Sequence, residues 1–480
     1  MYAKIGIFKI FNSNVYEIKK IFHSREEKVV GKDNKKRLLI YAHYYAPDVA
    51  STGQLLQDMA EGMLDAFDVT VICTVPSYGG KISPEYREKK FYHEEINGVK
   101  VIRIAVPEFT KTNKVSRVKN LLAYYFGARK ATKLVGEQDF IFTISQPPVL
   151  GGMLGVYGKK KLRTANGSSP IFVYCIQDFN PEQIIATGYV KIRSILKIAK
   201  WLDKRSCVKS DLVVTVGRDL EQTLVQRFGD KSVPKHTIIN NWVDEKEIHP
   251  LAADNEGVEE FNEAYGLKDK FVIMYSGNIG LYYDLDGLIE VMAKFNGAKT
   301  PDGREVVFAF VGAGAMLKKL EEYKEEHSLN NIVFIPYQDK DKLIYSLNAA
   351  DVHWCVSAKG IKGVSCPSKF YGIAGVGKPV IGVLEKGAEI EMLINEIGCG
   401  KIAEPGDYDT IEEIVNWFID NADSSELAEM GRKAHEYLMG HLTKNLSINK
   451  YKKAMLTNEQ QLLQANAATA EGELRKEITA

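Results

Sequence analysis

Three runs in the second half of the chain carry side chains and glycines suited to holding an anion. FVIMYSGNIG places Ser276, Gly277, Asn278 and Gly280 directly behind an apolar run and ahead of DLDGLIEVMAKF, which has helical spacing. Glycine lets backbone N–H groups come close to a phosphate, and the start of the following helix adds a favourable dipole. An ordinary strand-to-helix turn uses the same glycines, so two readings stand for this loop. VSAKGIKGVSCPSKFYGIAGVGKPVIG adds Lys359, Lys362 and Lys369, with Pro367 and Ser368 ahead of a helix expected to start near Lys369. Serine suits the position before a helix, whereas a lysine in the first turn opposes the helix dipole. Such a lysine is better placed with a diphosphate to neutralise. The third run, VVFAFVGAGAMLKKLEEY, follows a dinucleotide fingerprint until its third glycine position, which is Leu317. That argues against a nicotinamide dinucleotide held in the usual way.

These loops have to be held by elements, and the elements are legible as runs of Val, Ile and Phe. RLLIYAHYY, FDVTVICTV, GVKVIRIAV, DFIFTIS, PIFVYCIQD, SDLVVTV and KHTIINN alternate with segments of helix length. Nearly continuous apolar runs of this kind indicate parallel strands buried on both faces, hence a doubly wound α/β sheet. After the polar stretch 250–270 the pattern restarts with FVIMYSGNIG, VVFAFVGAG, NIVFIPY, DVHWCVS and PVIGVLE. The expected division is an N-terminal extension over 1–36, a first domain over 37–249, a linker over 250–269, a second domain over 270–440, and a helix with a loose tail over 441–480. In open α/β sheets ligands bind beyond the carboxyl ends of the strands, where the three runs lie. His43, after the first strand, reads as a packed loop histidine, and Trp242 and Asp244, at the domain boundary, as packing groups.

The chain has 480 residues, more than one core normally serves, and its composition is that of a folded globular protein. Six cysteines are scattered without a C-x-x-C or a Cys/His pair at zinc spacing, which fits a reducing compartment and calls for no metal. No secretory signal and no run of membrane-spanning length is seen, so a cytoplasmic location is expected. The net charge of +1 conceals an asymmetry: residues 97–235 hold 24 Lys/Arg against 10 Asp/Glu. An anionic partner would meet such a region, though acids nearby in space could also balance it. Residues 110–136 contain seven Lys/Arg and no acid, with Val115, Val118, Leu122, Tyr125 and Phe126 at helical spacing. A basic amphipathic helix of this type can lie in an anionic membrane interface; residues 191–209 add a second basic strip. The competing reading is two helices with apolar faces against their own sheet.

Taken in order, YYAPDVASTGQLLQDMAEGM, QDFNPE, IINNWVD, YSGNIG, FIPYQ, AADV, PSKFYGIAGVGKPVIG and GCGKIAEPGD closely resemble bacterial family 4 glycosyltransferases, in the branch that builds capsule, exopolysaccharide or O-antigen units. The resemblance spans roughly residues 37–440. It implies the GT-B fold, two Rossmann-like domains facing across a cleft. It also implies retaining transfer from a nucleoside-diphosphate sugar, without metal or other cofactor, to a glycan or polyprenyl-diphosphate-linked acceptor. No nucleic-acid partner is expected; an anionic membrane surface at the inner face of the cell membrane is. Carried onto this sequence, Gly277, Asn278 and Lys369 face the diphosphate, the backbone near Tyr337 meets the base, and Gly53, in the loop after the first strand, permits close approach. Asp178 falls where the family positions acceptor or catalytic groups. It either orients or deprotonates the acceptor hydroxyl or is a structural aspartate before Pro181.

One departure is plain. Many members carry two glutamates eight positions apart, and their equivalents here are Val364 and Gly372. The usual ribose carboxylate is therefore missing, and Glu389 or another group would have to substitute. Two rival readings remain at this stage: a sugar-nucleotide epimerase on the same plan, and a non-catalytic nucleotide-sugar-binding protein. Whatever the acceptor, breaking a glycosyl–diphosphate bond builds negative charge on the leaving phosphate, so catalysis needs fixed cations or N–H dipoles there. Lys369 and the glycine loop are the candidates.

Overall fold

The computed structural model describes residues 35–110, 113–186, 193–229, 231–252 and 254–479. The expected extension 1–36 therefore lies outside the described residues except for its last two. The apolar runs of the first half become β1 (Lys36–Tyr41), β2 (Phe67–Thr74), β4 (Val99–Ile104), β5 (Phe140–Ile144), β6 (Ile171–Ile176), β7 (Leu212–Thr215) and β8 (His236–Ile238). An additional strand, β3 (Phe91–Ile96), runs antiparallel to β4 at the sheet edge, giving the order β3-β4-β2-β1-β5-β6-β7-β8 with the other pairings parallel. In the second half β9 (Lys270–Ser276), β10 (Glu305–Val311), β11 (Ile332–Ile335), β12 (Val352–Val356), β13 (Val380–Val383) and β14 (Gly400–Ala403) form an all-parallel sheet ordered β11-β10-β9-β12-β13-β14.

β5, β6, β7, β12 and β13 are buried along their whole length, as strands covered by helices on both faces must be. Each sheet reverses its strand order once, between β1 and β5 and between β9 and β12. At such a point the connections depart to opposite faces and leave a crevice at the carboxyl ends of the strands. Both crevices contribute to the site below.

The helices that matter for function are α1 (Ser51–Gly62), α2 (Lys114–Ala131), α3 (Leu150–Lys161), α4 (Arg193–Lys209), α5 (Arg218–Phe228), α6 (Lys369–Gly375), α7 (Glu389–Ile397) and α8 (Lys444–Thr479). α3 lies flush on the first sheet because it presents glycines: a Cβ added at Gly155 would fall 2.0 Å from the Phe172 ring.

Two stretches differ from their expected form. The supposed linker contains a helix, Glu256–Ala264, capped by the Asn255 side chain, and its Phe261 packs into the core of the second sheet. The expected C-terminal helix is present as α8, but it continues to Thr479 through the stretch expected as a loose tail, and it crosses back to the first domain, where Ile448, Tyr451 and Met455 join the core. Lys452 of α8 pairs with Asp65, and Lys36 with Glu459. The apolar residues repeat along α8 at helical intervals, which is what allows one side of it to be buried there.

Candidate functional site

The two crevices open into one cleft between the domains, of about 370 Å³. α1 contributes Ser51, Gln54 and Asp58 to its wall, the domain junction contributes Asn241, Trp242 and Asp244, and the second domain contributes Ser276, Gly277, Tyr337, Ser368, Lys369 and Gly372. Four of the residues singled out in the sequence for anion binding are thus brought together: Ser276, Gly277, Ser368 and Lys369.

Lys369 is the first residue of α6. Its half-buried side chain runs under Gly277, where an added Cβ would stand 2.9 Å from Lys369 Cε. Gly277 itself has φ 134°, in the region that favours glycine. The Lys369 ammonium sits 3.8 Å from the centroid of the Tyr283 ring and 4.9 Å from that of Tyr275. Aromatic faces attract a cation but leave its charge uncompensated. Among the described residues no carboxylate forms an ion pair with Lys369, and burial pushes its ammonium down to about 8. The other two lysines of the run behave differently: Lys362 donates to the Lys386 carbonyl at 2.6 Å, and Lys359 is exposed. Ser368 precedes α6 with helical backbone angles and makes no capping bond, so its hydroxyl is left to the cleft rather than to the helix.

The glycine loop works otherwise than its sequence suggests. The Gly277 N–H donates to the Val311 carbonyl at 2.8 Å and the Ile279 N–H to that of Ala313 at 2.9 Å, so these amides continue the link to β10 instead of facing a ligand. Tyr275 donates its hydroxyl to the Asn278 carbonyl at 2.6 Å, and a Cβ at Gly280 would lie 2.7 Å from the Asn278 side chain. Asn278 and Gly280 therefore fold against each other, outside the cleft lining. What the loop supplies is room for Lys369.

Gly53 lies inside α1, not in a loop, and packs on the backbone of Tyr44, whose carbonyl oxygen would be 3.1 Å from an added Cβ. Its helix neighbours Ser51 and Gln54 reach the cleft in its place. Tyr337 follows β11, lines the cleft and is 56% exposed, leaving a ring face open. His43 is buried against Tyr44 and Tyr124, with Nε2 3.3 Å from Asn120 Oδ1, and burial pushes it down to about 4. It is a neutral packing group. Trp242 and Asp244 both line the cleft while already partnered: Trp242 Nε1 donates to Asp58 at 3.2 Å, and Asp244 pairs with Lys444.

Asp178 stands at a seam between the domains, outside the cleft lining. It forms a bridge with Ser365, while the neighbouring Phe179 N–H donates to the Val364 carbonyl at 2.8 Å. Gln146 Nε2 donates to Asp178 Oδ2 at 3.0 Å, and burial raises the carboxyl above its ordinary range despite that bond and those from Ser365 and Gln183. Tyr283 holds the Lys369 ammonium on its ring, and burial together with the Asp178 charge pushes its phenol up to about 12. Nothing in the sequence reading singled out Tyr283 or Tyr275; the Tyr282–Tyr283 pair directly after the glycine loop was the available signal.

Glu389 lies outside the cleft lining. It is 3% exposed and its oxygens are occupied across the domain boundary: Oε2 accepts from Arg218 N–H at 2.7 Å and Arg218 Nε at 2.9 Å, and Oε1 from Asn240 at 3.0 Å. Arg218 also pairs with Glu396, and Asp219 accepts from the Gly363 N–H at 2.9 Å. This is a clasp between α5 and α7. Of the two positions where the family carries glutamates, Val364 is buried and Gly372 lines the cleft.

Residues 258–437 match the family described as Glycosyl transferases group 1. Over 353 residues, 72% of this chain and 82% of the relative, the sequence is 25% identical to the probable glycosyltransferase WbjE of Pseudomonas aeruginosa. It is 23% identical to the putative colanic acid biosynthesis glycosyl transferase WcaI of Escherichia coli, over 79% of this chain and 90% of that one. Among solved structures, HepE of Anabaena in complex with UDP and glucose superposes with a TM-score of 0.62 at 15% identity, covering 88% of this chain and 99% of that chain. The fold is GT-B, and the chain is a glycosyltransferase.

Proposed function

We propose that this glycosyltransferase moves a glycosyl unit, with retention of configuration, from a nucleoside-diphosphate sugar to a lipid-diphosphate-linked glycan in the assembly of a surface polysaccharide. The observation that carries this reading is the Lys369 ammonium, enclosed by two tyrosine rings at the cleft wall with no carboxylate partner among the described residues. Keeping such a charge is costly unless a ligand neutralises it. A diphosphate does so most fully as the bond from the sugar carbon to the phosphate oxygen breaks and its electron pair passes to the leaving group. An interaction that strengthens as charge develops lowers the barrier rather than only tightening substrate binding.

Because the Gly277 and Ile279 amides are committed to β10, the leaving group depends on Lys369 more than on loop dipoles. The acceptor oxygen forms the new bond to the sugar carbon, and its proton leaves with the diphosphate or passes to a carboxylate. Asp178, raised by burial at the domain seam, is the carboxylate proposed for that proton, and it lies outside the cleft lining. The relatives add support: WcaI is named for colanic acid biosynthesis, and HepE is solved with UDP and glucose.

The test is transfer from a panel of nucleotide sugars to lipid-linked and water-soluble acceptors, with the anomeric configuration of the product read by NMR. The expected product keeps the donor's configuration and forms on the lipid-linked acceptor. An inverted product, or conversion of the nucleotide sugar without acceptor, would replace this reading.

A further inference from the structure

Gly372 stands three residues beyond Lys369 in α6, on the same face of the helix, and both line the cleft. There is room for a side chain at this position: the one atom within 4 Å of an added Cβ is Leu347 Cδ1, in van der Waals contact at 3.4 Å. Leu347 belongs to a short helix, Leu343–Asn348, that follows the Tyr337 loop. With Ile248 and Val376 it forms a small buried apolar cluster, and Val243 and Leu343 pack on it. Leu343 and Leu347 both reach the cleft lining. The wall between Tyr337 and Lys369 is thus built from leucine side chains and the bare Cα of Gly372.

In a nucleoside diphosphate the pentose is the unit between the phosphates and the base. With the diphosphate at Lys369 and the base on the open ring of Tyr337, the pentose lies over Gly372 and Leu347. A ribose brings two neighbouring hydroxyls there, at its 2′ and 3′ carbons, and both give up water on binding and need acceptors. The acceptor that holds such a pair most firmly is a carboxylate, through charge-assisted bonds. Among the described residues that line the cleft, the carboxylates are Asp58, Asp244 and Glu247. Asp58 accepts from Trp242 and pairs with Lys444, Asp244 pairs with Lys444, and Glu247 pairs with Lys340 at 2.7 Å. Ser51 and Gln54 face the cleft from the first domain and are neutral.

A site built to hydrogen-bond a hydroxyl rejects the analogue that lacks it strongly, whereas an apolar wall draws no affinity from the hydroxyl. Resting on the donor site proposed above, we infer that Gly372 opens this enzyme to sugars carried on a 2′-deoxyribonucleoside diphosphate, which it takes at least as well as their ribonucleoside counterparts. Gly372 is then a specificity-determining position: it leaves the 2′-hydroxyl of a ribose against leucine, where that group loses water and meets no charged acceptor.

The experiment is isothermal titration of the full chain with UDP, GDP and ADP and with the 2′-deoxy counterpart of each. For the base that binds most tightly, the deoxy form should bind within threefold of the ribo form or more tightly, and kcat/KM for the matching nucleotide sugars should keep that order. Gly372→Glu places a carboxylate beside the pentose and should favour the ribo form by about ten- to a hundredfold, the range for one hydrogen bond to a charged group. Gly372→Gln fills the same space without charge and should give a clearly smaller preference. Both variants replace a glycine within a helix and should melt no lower than the parent. A parent that binds the ribo form more than threefold tighter than the deoxy form would overturn the inference and leave the donor site standing. So would an unchanged order in Gly372→Glu, or a Glu247→Gln variant that loses affinity for the ribo form alone, since that carboxylate would then hold the ribose. If none of the nucleotides binds, or if Lys369→Met binds them like the parent, the donor site itself fails and takes the inference with it.

Discussion

Lys369 and Glu389 lie twenty residues apart in one domain, the first half-buried and the second fully buried, and differ in their partners. The Glu389 carboxylate accepts three hydrogen bonds from Arg218 and Asn240 of the opposite domain. The Lys369 ammonium has two tyrosine rings and open cleft. A buried charge whose bonds are complete has spent them on holding the protein together. A buried charge left incomplete waits for a ligand. Of these two residues, the one without a carboxylate partner is the proposed donor-site group, and the one with three bonds ties the two domains together.

Removing each charge should therefore act on different quantities. Lys369→Met is expected to lower kcat/KM for transfer about a hundred- to a thousandfold, the range for losing a fixed group at a developing anion, while the ligand-free chain melts no lower than the parent. The pH dependence follows from the sign of the shift. Lys369 falls to about 8 when folded from its ordinary 10.5, so the unfolded chain holds more protons between those values. The stability penalty is fully present below about pH 8 and is relieved as pH rises toward 10.5. Melting curves across that window should show the rise in the parent and not in Lys369→Met. A melting temperature well below the parent's at neutral pH would mean Lys369 is structural after all.

Glu389→Ala should do the reverse. It removes the acceptor of the Arg218 backbone N–H and of one Asn240 N–H at a domain boundary, while Arg218 keeps Glu396, a loss of about 3 kcal/mol in denaturant unfolding. Affinity for the donor nucleotide should change less than tenfold. A large loss of nucleotide affinity with an unchanged unfolding midpoint would return Glu389 to the ribose.

Gly277→Ala is the smallest of the three. A side chain at φ 134° is strained and would press on Lys369 Cε, a cost of roughly 1–3 kcal/mol. Isothermal titration should show donor nucleotide binding weakened about tenfold, with partial recovery in Gly277→Ala combined with Lys369→Met relative to the sum of the single changes.

The sequence revealed the parts of this molecule that depend on local pattern. Continuous apolar runs announced the parallel strands, since a strand covered on both faces has no polar side to alternate with. β3 alternates and sits at an edge, and β14 is GKIA, with a glycine and a lysine among its four residues, so neither gave such a run. Lys369 was legible because a lysine in a first turn conflicts with its own helix. The partners of Glu389 were not, because Arg218 is 171 residues away and only the closing of one domain on the other brings them together. The packing of the glycine loop was hidden for a related reason: glycines mark close approach without saying what approaches, and here it is the Lys369 side chain.

The central claim, that Lys369 is held incomplete for a diphosphate, is tested most directly by counting protons. The nucleotide that stabilises the chain most among UDP, GDP and ADP is titrated calorimetrically at pH 8 in two buffers of different ionisation enthalpy. With Lys369 near its midpoint there, binding a diphosphate should complete its protonation, drawing in about half a proton per nucleotide. Lys369→Met should bind far more weakly and draw in none. Equal affinity in parent and variant with no proton taken up by either would contradict the account.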